Sequence, residues 1–327
     1  MGDAAAALAP LALSSMYAQR WADRASLAPF FALGRSLGFD RFELSHDVPA
    51  EALAAIAPGS VQIASVHHPC PTAGAWVAGG LVSGDRAARA AAVAALRTTI
   101  ATAERVGAPV VVLHLGRAAD DADETARRLR FEVTNRFLAG QAGSERSALA
   151  RDRLAAWVAA REPEHLEHGI ASLREVLPDA AERGIALAVE TGYHPDELPT
   201  PEGLRALLDA LGAEHGTAGA WLDTGHVGAR AALGFAAPED WRAAAGGRWL
   251  GAHVHDAVGL RDHLAPGSGT LDLVALLAMV PGGAPLTLEV DWHLAPDEVA
   301  DAARHVLALR ARPDSKPSEH LRSGPRW

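Results

Sequence analysis

Short runs of apolar and β-branched residues recur along the chain and alternate with longer stretches in which alanine, leucine and arginine repeat at helical spacing. A switch of period from 2 to 3.6 and back is the signature of repeated βα units feeding a parallel sheet. The strand candidates are LALS (11–14), RFELSH (41–46), VQIASVH (61–67), PVVVLH (109–114), IALAVE (185–190), AGAWLD (218–223), LGAHVH (250–255) and LTLEV (286–290). Helices are predicted near 24–37, 49–57, 86–106, 164–183, 201–212, 238–245, 271–279 and 296–311. The stretch LPTPEGLRALLDALG carries full helix punctuation, with Thr200 as N-cap, Pro201 at the first helical position, Glu202 in the first turn and Gly212 at the end. Eight such units predict an α/β fold, a (β/α)8 TIM barrel.

The pattern exceeds a minimal barrel in two places. Residues 117–163 insert charged helical sequence after strand 4, and residues 312–327 read as a C-terminal tail to a single barrel domain over 1–311. An insertion after a strand's C-terminal end overhangs the mouth of a barrel. It reads as a solvated helical hairpin or a homo-oligomer contact, with a lid as the alternative.

Composition narrows the function classes. Hydrophobic residues make up 49% and charged residues 21% of the chain, enough apolar surface for a large core and too little charge for a disordered one. The net charge is −10 and the only lysine is Lys316, so no basic face is available for the phosphate contacts a nucleic acid requires, and Schiff-base chemistry on a core lysine is excluded. Cys70 is alone, which precludes an internal disulfide and reads as a structural thiol. MGDAAAALAPLAL lacks a basic n-region and no run of 18 apolar residues occurs, so neither a signal peptide nor a membrane span is predicted and the expected address is cytoplasmic.

Chemistry concentrates at the strand ends, where barrel active sites are built. Strand 3 ends at His67, strand 4 at His114, strand 5 at Glu190 and strand 6 at Asp223 with His226 beyond; strand 7 carries His253 and His255, and strand 8 Glu289. A single histidine at a strand end is ordinary packing. Several buried carboxylates on neighbouring strands are not, because their mutual repulsion and desolvation call for a cation. In GAWLDTGHVG, Asp223 and His226 are read as facing one cavity, with Gly225 letting the chain turn between them. His46, His165, His168 and His194 are left open between cavity and water, with water expected for His165 and His168.

The segments GFDRFELS, VHHPCP, VVVLHLG, LAVETG, LDTGHV, HVHD, DHLAPGSG and LTLEVD, in this order and spacing, resemble the xylose-isomerase-like barrel superfamily of sugar isomerases and epimerases, inosose-processing enzymes and endonuclease IV-type nucleases. The resemblance implies a metal site made by Glu190, Asp223, His253 and Glu289, holding Mn2+, Mg2+, Co2+ or Zn2+. It further implies a metal-dependent isomerase or epimerase acting on a sugar, sugar phosphate or cyclitol, with Glu190 and Glu289 carrying protons through an enediolate. His67, His114, His226, His255, His263 and Arg261 are candidates for a second metal or for substrate contacts, and Trp76 or Trp292 for shielding a ring face. Two departures stand out: His255 occupies a position where many members have lysine, and Asp262 and His263 are adjacent where the nuclease branch spaces this pair by two, which argues against Asp262 as a ligand. The alternative is an endonuclease IV-like multinuclear hydrolase or lyase acting on a small phosphoester or metabolite, and a further reading is a metabolite-binding barrel with a vestigial site. A small molecule is the expected partner in each.

Overall fold

The structure, a computed structural model, describes residues 11–72, 80–119, 123–212 and 217–311. Trp76, the first ten residues and the 312–327 tail lie outside the described residues. The barrel strands are β1 (Leu11–Ser14), β2 (Arg41–Leu44), β3 (Gln62–His67), β4 (Val110–Leu113), β5 (Ala186–Glu190), β6 (Ala218–Asp223), β7 (Trp249–Val254) and β8 (Leu286–Leu288). They close into a parallel barrel in chain order, with β8 returning to β1. Around and between them run α1 (Ala28–Ser36), α2 (Ala50–Ala54), α3 (Arg86–Val106), α4 (Glu124–Leu138), α5 (Glu145–Ala159), α6 (Glu162–Glu182), α7 (Pro201–Gly212), α8 (Thr224–Leu233), α9 (Pro238–Ala245), α10 (Leu273–Leu277) and α11 (Pro296–Arg310). All eight predicted strands form where the alternation placed them, differing only in their terminal residues. The Thr200 cap forms as the sequence predicts, its hydroxyl accepting from the Gly203 amide at 3.1 Å.

Two faces of each strand enter two different cores. Leu11, Leu13, Phe42, Leu44, Val111, Leu113, Leu187, Val189, Leu222, Val254 and Leu288 pack outward against the helices. The opposite faces line the barrel, where Val110, Val112, Ala188 and Trp221 form a small inner cluster. Trp221 fits because β7 has Gly251 beside it: a Cβ there would lie 2.2 Å from the indole. Alternation of side chains along a strand therefore continues this inner face directly into Glu43, His67, Glu190, Asp223, His253 and Glu289, all buried near the strand ends. Cys70 is buried and burial pushes its thiol up to about 12, consistent with a structural thiol.

The region between β4 and α6 contains the hairpin α4–α5. It packs at the rim that bears the strand C-termini, with the Phe137 ring against Gly259 and Arg130 paired to the buried Asp196 at 2.6 Å. Two short antiparallel ribbons unforeseen in the sequence stiffen this rim, one joining Gly116–Arg117 to Glu197–Leu198, the other Asp256–Val258 to Arg261–Leu264. His165 and His168 keep only partial exposure to water. Both are half-buried where α6 meets residues 80–82, and the His165 ring bonds the Val82 carbonyl at 2.9 Å.

Candidate metal centre

Glu190, Asp223, His253 and Glu289 converge, each offering a ligand atom within 4.8 Å of the others. His253 Nδ1 lies 2.8 Å from Glu190 Oε1, 3.3 Å from Glu289 Oε2 and 3.7 Å from Asp223 Oδ2. The Ser14 hydroxyl at the end of β1 donates to the other Glu289 oxygen at 3.3 Å. Glu190 is shared with a second group: His67 Nε2 and His114 Nε2 approach its Oε2 at 2.9 and 3.1 Å. The strand-end histidines of β3 and β4 thus converge on the carboxylate of β5.

The loop beyond β6 is a helix, not a turn. Asp223 is the N-cap of α8, accepting the His226 amide at 2.7 Å, and Gly225 lies within the helix with no left-handed backbone. Glycine is required there by contact, because a Cβ would sit 2.1 Å from the His255 ring. His226 does face the cavity. Its Nδ1 bonds the Thr191 carbonyl at 2.8 Å, an acceptor only, so Nδ1 carries a proton and Nε2 is left toward the site.

His255 accepts the His263 amide on Nδ1 at 2.8 Å, so its Nε2–H is the donor to Asp223, 3.0 Å from both carboxylate oxygens. This residue therefore orients Asp223. His263 adopts φ 53°, and with that left-handed step it groups with both Asp262 and His226, and separately with His255 and Glu289. The adjacency of Asp262 and His263, which argued against Asp262 at the level of sequence, is accommodated by that backbone turn. Arg261, in contrast, is exposed on the ribbon, and the Trp292 ring stacks on His293 with centroids 3.5 Å apart. His46 lies next to His67, ring centroids 5.3 Å apart, and burial pulls its ring down to about 4.

The electrostatics fit a cation. Burial alone would raise the Glu190 carboxyl, yet His114, His253 and His67 hold it well below the usual carboxylate range. Burial would lower His253, and Glu289, Glu43 and Glu190 instead raise it well above the usual imidazole value. Against the same push of burial, Asp223 and Glu190 carry His226 up to about 9. The hydrogen bonds make the same point geometrically. His67 Nδ1 is committed to the His68 carbonyl at 2.9 Å, so its Nε2 can face Glu190 Oε2 only as an extra proton donor or with a cation shared between the two. Three carboxylates and one imidazole are a donor set suited to Mn2+, Mg2+, Co2+ or Zn2+.

Glu43, not among the residues singled out from the sequence, is fully buried on β2 and bonded to His253 Nε2 at 3.0 Å. The signal was present: a carboxylate between Phe42 and Leu44 in a strand is as costly as Glu190 between Val189 and Thr191.

The profile of the xylose isomerase-like TIM barrel family matches residues 30–310. No curated protein matches the chain in sequence. Among solved structures, an L-ribulose 3-epimerase is 20% identical with a TM-score of 0.61, the alignment covering 92% of this chain and 94% of that one. The IolI protein with a bound zinc atom is 15% identical with a TM-score of 0.63, covering 92% and 98%. A D-allulose 3-epimerase from Methylomonas sp. is likewise 15% identical, with a TM-score of 0.62 and the same coverage.

Proposed function

The chain belongs to the xylose isomerase-like TIM barrel family, and from that premise we propose that it is a divalent-metal-dependent isomerase or epimerase of a sugar, sugar phosphate or cyclitol. The observation that carries this reading is the convergence of Glu190, Asp223, His253 and Glu289 on the inner face of the barrel mouth. The fold shared with two sugar 3-epimerases and with zinc-bound IolI supports it.

These four side chains would hold the metal, which when bound polarises a substrate carbonyl and its neighbouring hydroxyl and so acidifies the intervening C–H. Glu190 and Glu289 come from strands on different sides of His253 and flank the space between them. One carboxylate takes the proton from the carbon beside the carbonyl while the other returns a proton, to the opposite face for epimerisation or to the adjoining carbon for isomerisation. His226 Nε2 and His263 present imidazole nitrogens toward substrate oxygens.

Deuterium uptake from solvent tests this directly. With Mn2+ present, a panel of ketoses, inososes and their phosphates is expected to contain at least one compound that exchanges a carbon-bound proton. Glu190→Gln should lower that exchange by about 100-fold or more at unchanged fold. Exchange in none of the panel, or full exchange by the variant, contradicts the reading.

A second reading is favoured by a specific feature: the further groups His67–His114–Glu190 and His226–Asp262–His263 flank the first. They support a multinuclear hydrolase or lyase acting on a small phosphoester or other metabolite. Two or three tightly held ions per chain, with phosphoester cleavage and no exchange, would select it.

A further inference from the structure

We propose that Glu43 is a positioning residue that fixes the tautomer of His253, keeping the proton on Nε2 so that Nδ1 is the nitrogen offered to the cation. The inference rests on the metal-centre reading above and extends it to a residue outside the ligand set.

The two nitrogens of His253 face opposite environments. Nδ1 points at the cluster, 2.8 Å from Glu190 and 3.3 Å from Glu289. Nε2 points away from it, 3.0 Å from both oxygens of Glu43. Glu43 is in turn held by the Ser65 hydroxyl, which donates to Oε2 at 2.6 Å, and Glu43 and Ser65 are register partners in β2 and β3. The side chains of Glu43, Ser65 and His253 are all fully buried. Among the described residues no arginine pairs with Glu43; the side chains that hydrogen-bond to it are Ser65 and His253, and His67 acts on it through charge alone.

A carboxylate in this position can only accept. Placed against Nε2 with no competing donor but a serine, it makes the Nε2–H tautomer the one that satisfies both groups. The imidazole lone pair is then on Nδ1, inside the donor set. A negative charge behind the ring also raises the basicity of Nδ1, the role an outer carboxylate has on a metal-bound histidine. Losing such an outer partner costs about 10–100-fold in metal affinity. The alternative, a purely packing role, predicts that volume alone matters.

Zinc alone is a sufficient probe, being diamagnetic and requiring no substrate. Its affinity is measured by competition with a chromophoric chelator for wild type, Glu43→Leu and Glu43→Gln, alongside circular dichroism of each metal-free protein. Glu43→Leu fills the space without an acceptor and should weaken zinc binding by about 10–100-fold. Glu43→Gln retains an acceptor oxygen without the charge and should recover part of that loss. In the zinc-bound wild type, long-range 1H–15N correlation of the ring should report His253 protonated at Nε2 and metal-bound at Nδ1. This readout needs no variant, so the opposite result would overturn the inference even where Glu43→Leu fails to fold. Wild-type affinity in Glu43→Leu overturns the inference and leaves the metal centre standing, whereas a ring protonated at Nδ1 overturns the inference and also removes His253 Nδ1 from the ligand set. No zinc binding by the wild type overturns both.

Discussion

Gly225 is held to hydrogen by a neighbour, not by its backbone. An added methyl would lie 2.1 Å from His255 Cε1, 2.6 Å from its Nδ1 and 3.1 Å from Asp262 Cβ. The ring cannot step aside without giving up the His263 amide on one edge and Asp223 on the other. Helix propensity and packing therefore predict opposite signs for Gly225→Ala. At the second position of the helix alanine gains at most the interior value of about 1 kcal/mol, whereas overpacking at a pinned site costs about 1–3 kcal/mol and displaces Asp223. Packing is expected to prevail, with a lower melting temperature and weaker metal binding by calorimetry; a variant more stable than wild type would contradict it. At this scale the sequence was legible where chemistry is intrinsic to residue type. Strand-end position drew Glu190, Asp223, His253 and Glu289 together with several histidines, and the family resemblance singled out the four, but the requirement for glycine at 225 depends on a side chain thirty residues away.

Among the elements, β strands were the most readable because their inner faces alternate with outer ones of strong apolar character, as in Ala188–Val189–Glu190 and Leu222–Asp223. The helix α8 was not read. It begins without a linker at the strand's last residue and carries Gly225 and Gly228, residues of low helix propensity at positions where a Cβ would meet the His255 ring and the Leu271 methyls. The short ribbons escaped for a different reason: two to four residues carry no periodicity, and long-range pairing alone creates them. The hairpin α4–α5 was visible as helical sequence, but not its anchorage. Arg130 reaches from α4 to the fully buried Asp196, while Arg117 approaches the same carboxylate at 4.0 Å and Glu197 at 3.1 Å. Removing one partner of a buried pair leaves an under-compensated charge. Arg130→Ala should therefore cost about 1–3 kcal/mol and accelerate amide exchange in 124–138 and 192–198, with the barrel strands little changed. Unaltered exchange in those segments would mean that the hairpin is held elsewhere.

On the scale of the molecule, most acids stay at the surface while a few are buried together at one end of the barrel. The chain carries a net charge of −10, and four fully or nearly fully buried carboxylates, Glu43, Glu190, Asp223 and Glu289, share the inner face of one barrel mouth. Imidazoles, not arginines, meet Glu190 and Glu43, and both nitrogens of His253 point at carboxylates. Such an arrangement is costly without positive charge at its centre, which the proposed divalent ion would supply. The most direct measurement of this claim is an anomalous-scattering map from crystals of the protein loaded with Mn2+. A peak is expected within coordination distance of Glu190, Asp223, His253 and Glu289. A map with manganese absent from that position, or bound only at other residues, would contradict it.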